Sequence, residues 1–206
     1  MDSKRTGMPP KTAEEALARL QAGNLRFISG EARFPTVQKE VLAELTKGQQ
    51  PYATILGCSD SRVPPELVFD SGFGELFVIR VAGNVLGSSI LGTLQYSALH
   101  LQTLLFVVMG HEGCGAVKAA IASKFDGSRQ AGRIEILLEQ IIPALDGLDP
   151  QVPPDALLSA GVEANVRRVV RELLATPEAQ ARADEGVFKL VGAVYELDTG
   201  RVRFLD

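Results

Sequence analysis

Both cysteines of the chain and one of its two histidines fall in two short segments, Cys58-Ser59-Asp60-Ser61-Arg62 and His111-Glu112-Gly113-Cys114. Two thiolates and one imidazole make a ligand set that suits Zn²⁺. Three protein ligands, Cys58, His111 and Cys114, leave one tetrahedral position for water, which is the arrangement of a catalytic rather than a structural zinc. Two thiolates cancel the charge of the ion, so this water is expected to be less acidic than at a three-histidine site, where its pKa is about 7. Asp60 can accept a hydrogen bond from such a water and orient it. Bound to the metal instead, Asp60 would fill the open position. Arg62 can prevent that through a bidentate ion pair, and positions 58, 60 and 62 of a semi-extended segment point the same way. The plainer readings are two buried structural thiols, a redox pair and a surface Asp–Arg contact. The thiol and redox readings leave His111 and Asp60 unexplained, and the redox reading also lacks a Cys-x-x-Cys spacing.

Each segment comes directly after a short apolar run closed by glycine, 52–57 and 104–110, and such runs read as buried strands. Further strands are expected at 76–81, 189–197 and 201–205, the last two joined by Asp198-Thr199-Gly200 as a hairpin at the sheet edge. Helices are expected at 12–29, 37–47, from Pro64-Pro65-Glu66, at 88–100, 116–123, 134–142, 160–174 and 177–184. Thr12 and Glu15 form a capping box, Thr36 caps the second helix and Gly48 stops it. The stretch 146–155 reads as the most loop-like part of the chain. Strand–helix alternation predicts an α/β fold: a central parallel sheet of about four strands, an added antiparallel edge strand and flanking helices. Ligands of such sheets sit outside the carboxyl ends of the strands, where both motifs lie.

The 206 residues are 46% hydrophobic and 22% charged, with a net charge of −4. That fits one globular domain over 1–206, with 1–11 as a loose arm. An acidic balance gives no nucleic-acid footprint, and no apolar run is long enough to suggest a membrane span. The start lacks the apolar core of a signal peptide, so the expected location is cytoplasmic.

Cys58-Ser59-Asp60-Ser61-Arg62-Val63-Pro64 and Gly110-His111-Glu112-Gly113-Cys114-Gly115-Ala116-Val117 resemble the β-class carbonic anhydrases. The likeness extends through Gly74–Asn84, Leu94-Gln95-Tyr96 and Val191–Gly200, and so covers nearly the whole chain. It implies reversible hydration of CO₂ to bicarbonate and a proton by zinc-bound hydroxide, with one zinc per chain. It further implies a homodimer or dimer of dimers, with N-terminal helices packing on the partner subunit. Carried over by position, Cys58, His111 and Cys114 are the ligands and Asp60–Arg62 the catalytic pair. Gln49, Phe77, Tyr96 and Gly83 fall in the substrate pocket, Gln49 reaching into a neighbouring subunit.

Some family members have a bicarbonate pocket built on Trp, Val and Tyr and a state in which the aspartate closes on zinc. Val63 and Tyr96 match, but Ile55 stands at the Trp position, so Asp60 is expected to rest on Arg62. Glu112 is read as a solvated loop residue in preference to a supporting partner beside His111, and His100 as structural or solvated. Two rivals remain: a carbonyl sulfide or carbon disulfide hydrolase on the same site, and an inactive zinc-stabilised binding protein.

Overall fold

The two strands that lead into the motifs are buried along their whole length, β1 (Ala53–Gly57) and β3 (Leu105–His111). They lie side by side in the middle of a five-stranded sheet with β2 (Leu76–Arg80), β4 (Lys189–Tyr195) and β5 (Val202–Leu205), in the order β2-β1-β3-β4-β5. The first four strands are parallel, and β5 runs antiparallel to β4. This is the expected α/β architecture, in a computed structural model that describes residues 9–33 and 39–205. The predicted Thr36 cap and most of the arm lie outside the described residues.

Helices cover both faces, which is why the inner strands read as unbroken apolar runs rather than as an alternation. Side chains alternate all the same. Leu56, Phe106, Val108 and Val194 point to one face, packed under α4 (Ser88–Leu99), α5 (Gly115–Phe125), α6 (Arg133–Glu139) and α7 (Pro154–Leu174). Ile55, Val107, Met109 and Ala193 point to the other, under α1 (Ala13–Ile28) and α3 (Pro65–Val68). α2 (Lys39–Leu45) and α8 (Pro177–Asp184) complete the helices. The long α7 lies close on β3 and β4 because two strand positions are glycine. A methyl group on Gly110 or Gly192 would stand 2.7 or 2.9 Å from a methyl of Val166.

Two expectations are corrected. α7 starts at Pro154, six residues before the predicted position, because Pro154 occupies the first turn, where its missing N–H costs nothing. β3 runs on to His111, paired with Tyr195, so this ligand candidate belongs to the strand and not to the loop after it. The N-terminal helix lays part of its apolar face on its own chain, while Leu25 stays exposed. Ala16 and Leu20 are buried there, and the Asn24 side chain bonds Val68 O, Gly200 O and Val202 N. Thr12 caps α1 by accepting from Glu15 N, while the Glu15 carboxylate reaches back to Lys11 N, one residue before the cap.

Candidate metal centre

Adjacent strands β1 and β3 end side by side, so the segments beyond them meet although 53 positions separate Cys58 from His111. The ligand atoms of Cys58, His111 and Cys114 lie within 4.8 Å of one another, and all three residues are buried. A tetrahedral zinc, with bonds of about 2.3 Å to sulfur and about 2.0 Å to nitrogen, would hold such atoms about 3.5–3.8 Å apart.

His111 is prepared for a ligand on one side only. Its Nδ1 lies 2.8 Å from Glu112 O, and a carbonyl only accepts, so Nδ1 carries the hydrogen. Nε2 is therefore the lone-pair nitrogen. It is fully buried and has no hydrogen-bond partner. A buried acceptor left without a partner is costly. A metal ion bound by the two sulfurs would satisfy it, and this donor set fits zinc.

Cys58 receives the Gly83 N–H on its sulfur at 3.3 Å. Its thiol is pushed down by the hydrogen bond from Cys114, aided by the N–H groups of Gly83 and Asp60, against the effect of burial. Cys114 is pushed up, because it gives that bond to Cys58 and is itself buried. Without a metal the two sulfurs are joined by that hydrogen bond, with a proton between them. A divalent cation displaces such a proton, since thiolate and not thiol is the ligand. Cys114 is also the residue at the N-cap of α5, with extended backbone and no side-chain cap hydrogen bond.

Asp60 sits beside this cluster in the grip of Arg62. Arg62 Nε donates to Oδ1 at 2.9 Å, Nη2 to Oδ2 at 2.7 Å, and the Arg62 backbone N–H to Oδ1 at 3.0 Å. The guanidinium holds the Asp60 carboxyl well below the usual carboxylate range. Oδ2 is 3.8 Å from His111 Nε2, too far for a hydrogen bond but on the metal side of the pair.

Three residues of this neighbourhood escaped the sequence reading. Arg80, at the end of β2, donates to Cys58 O at 3.0 Å and to Asp60 O at 2.5 Å, so it fixes the backbone that carries both side chains. Glu112 is not a free loop residue. Its carboxylate accepts from Leu197 N at 3.1 Å, and its own N–H donates to Tyr195 O, tying the ligand turn to the β4–β5 hairpin. Asn165, on α7, donates to Gly83 O at 2.8 Å.

The other predicted pocket residues divide. Gly83 belongs to the cluster through its N–H. Phe77 and Tyr96 lie near each other, ring centroids 6.2 Å apart, on the flank formed by β2 and α4. The exposed His100 ring lies against Tyr96 at 4.9 Å, as a solvated residue would. Gln49 is exposed and precedes β1, at the end of that strand opposite to Cys58. An apolar groove of about 410 Å³ between α4, α7 and α8 is lined by none of these residues except the neighbours of Tyr96 on α4.

The carbonic anhydrase family model matches residues 53–202. The chain belongs to the β-carbonic anhydrase family. Carbonic anhydrase 2 of Mycobacterium tuberculosis is 36% identical over 97% of this chain and 96% of its own length. The carbonic anhydrase of Mycolicibacterium smegmatis is 35% identical over 95% and 94%. Among solved structures, the Coccomyxa β-carbonic anhydrase in complex with acetazolamide superposes with a TM-score of 0.74 at 27% identity, covering 92% of this chain and 86% of that one. The β-carbonic anhydrase CcaA gives the same TM-score at 25% identity, covering 92% and 87%. No helix among the described residues is long and apolar enough to cross a membrane.

Proposed function

We propose that this chain catalyses the reversible hydration of CO₂ to bicarbonate and a proton, with one zinc per chain held by Cys58, His111 and Cys114. The observation that carries the reading is the Asp60–Arg62 pair placed beside three buried ligand atoms. A structural zinc has four protein ligands and needs no orienting carboxylate. Here the fourth group is kept off the ligand cluster by its own arginine.

Zinc bound at this site would supply an acidified water next to the substrate. The rest of the work falls to side chains of the chain. Asp60 would accept a hydrogen bond from water at the open ligand position and so fix the direction of its remaining lone pairs. Arg62 keeps the carboxylate ionised and oriented, which is positioning rather than proton transfer. Arg80 holds the backbone of residues 58–60 in place.

A second copy would complete the pocket. Gln49 leaves β1 at the wrong end to reach its own Cys58, so it serves the site of a neighbour. β2 is an edge strand, and an open edge invites a partner. Leu91, Tyr96 and Leu99 of α4 and Phe73 before β2 are exposed apolar side chains on that side, which supports a homodimer through this flank.

Metal analysis and stopped-flow CO₂ hydration test the reading together. The expected result is near one zinc per chain and fast turnover that a chelator abolishes. Loss of an outer-sphere partner alone costs about 10–100-fold in metal affinity, so Cys58→Ser, which removes a ligand, should cost at least that. Metal-free yet active protein would overturn the proposal. So would sulfide release from carbonyl sulfide or carbon disulfide with poor CO₂ turnover.

A further inference from the structure

Asn165 is an amide on the buried face of α7, among Val162, Val166 and Val169. Its surroundings are those of an apolar residue, and it is 1% exposed. Its Nδ2 donates to Gly83 O at 2.8 Å, while its Oδ1 is buried with no hydrogen-bond partner. A half-satisfied buried amide is destabilising relative to a well-packed aliphatic side chain. Such a group calls for an explanation other than stability.

The explanation lies at the other end of the Gly83 residue. Its N–H points at the Cys58 sulfur at 3.3 Å. Gly83 has φ +67°, in the left-handed region that favours glycine, and forms part of a 3-10 turn over Ala82–Asn84 after β2. A Cβ there would meet Ile141 Cδ1 at 2.7 Å and Ala116 Cβ at 3.2 Å. The turn is thus closed in by α5 and by the segment after α6, and its carbonyl is tied to α7. If that carbonyl were released, the turn could rotate and take the N–H off the sulfur.

An N–H on a thiolate draws charge from sulfur and weakens its donation to a metal ion. We propose that Asn165 is a positioning residue of the metal centre: by holding the Gly83 carbonyl it keeps the Gly83 N–H on Cys58 and so limits the donor strength of that sulfur. The inference rests on Cys58 being a metal ligand, as read above, but not on the substrate.

The test replaces zinc by cobalt(II) in the full-length protein and compares wild type with Asn165→Leu, which keeps the branching and number of heavy atoms of the side chain but has no amide. The sulfur-to-cobalt charge-transfer band is expected to move to lower energy in the variant, because a sulfur freed of its N–H gives up electrons more readily. Thermal stability is expected to change little, since the unpaired Oδ1 is gone but the Gly83 carbonyl loses its donor. A band in the wild-type position, in a folded variant, overturns the proposal. So does a large drop in melting temperature with no spectral change, which marks a merely structural amide.

A second measurement needs no variant. In wild type loaded with ¹¹³Cd, a scalar coupling between the metal and the Gly83 amide proton is expected through the N–H···S bond. Its absence, with other cysteine couplings resolved, overturns the proposal even if Asn165→Leu fails to fold. Both readouts are independent of CO₂ turnover. An inactive wild type that shows the coupling, with the band shifted in Asn165→Leu, would sink the hydration reading and leave Asn165 in this role. An active wild type without either would do the reverse.

Discussion

Replacing Arg62 by alanine should silence the enzyme without emptying its metal site. In the structure Oδ2 of Asp60 is 3.8 Å from His111 Nε2. Nitrogen and oxygen ligands on one tetrahedral ion, with bonds of about 2.0–2.2 Å, are about 3.4 Å apart. The carboxylate is therefore only about 0.4 Å from a ligand's distance, well within reach of a side-chain torsion. What holds it back is three hydrogen bonds from Arg62, two of them from the guanidinium. Alanine removes both guanidinium bonds and leaves the backbone one. Asp60 is then free to take the fourth position and exclude water. Even a misplacement of a positioned group by about 1 Å costs about 10²-fold in rate, and loss of the open position is more severe, so stopped-flow CO₂ hydration at constant buffer should fall by at least that factor. Zinc per chain should stay near one, because a fourth ligand tightens the site. Arg62→Lys should fall in between, since an ammonium cannot make the paired contact. Turnover of Arg62→Ala within about threefold of wild type at equal zinc content would refute the reasoning. So would activity lost only because zinc was lost.

Two predictions concern the frame around the site. Gly23→Ala should destabilise the protein, although alanine favours a helix by about 1 kcal/mol. Its Cβ would stand 1.9 Å from Phe69 O, so α1 must lift off α3 along its length. Overpacking of this kind costs about 1–3 kcal/mol or more, and with a net loss of about 2 kcal/mol the melting temperature should drop by about 4–8 °C; an unchanged or higher value would contradict the packing described. Asp70→Asn tests a pH-dependent anchor. Burial would raise the Asp70 carboxyl, but Arg26 at 2.5 Å and the backbone and guanidinium of Arg33 outweigh it and hold it below its ordinary value. A depressed carboxyl stabilises above its unfolded pKa of about 3.9, and that contribution is lost as pH falls through the lower folded value. Denaturant unfolding should therefore show wild type ahead of Asp70→Asn at pH 7 and the gap narrowing below about pH 4. A gap independent of pH would point to packing alone.

The residues that could do the chemistry were readable because they are close in sequence. Cys58, Asp60 and Arg62 lie within five positions, and His111 and Cys114 within four, so spacing alone predicts the ligand set and the ion pair. Strand ends bring the two segments together, and apolar runs reveal strand ends. The parts that stayed hidden depend on residues far away in the chain. Asn165 looks like one polar residue in a helix, and nothing local says that α7 crosses the sheet at Gly110 and Gly192 and brings its amide to Gly83. Arg80 reads as the exposed end of a strand until β2 is paired with β1 in the observed register. Pro153-Pro154 reads as a breaker, and whether a proline ends one segment or begins a helix depends on how the residues after it pack. The face of α1 was readable, but its target was not. An amphipathic stripe says that something covers it, not which subunit does.

The three ligand candidates come from the ends of neighbouring strands in one hydrogen-bonded sheet, with two hydrophobic layers around it. In small zinc modules the ion supplies the folding energy, and the peptide is shapeless without it. Here the scaffold stands on its apolar layers, and strand ends rather than a metal position the three ligand candidates. Capture and loss of the ion should then be local events, so that a stripped protein keeps its shape and can be recharged rather than refolded.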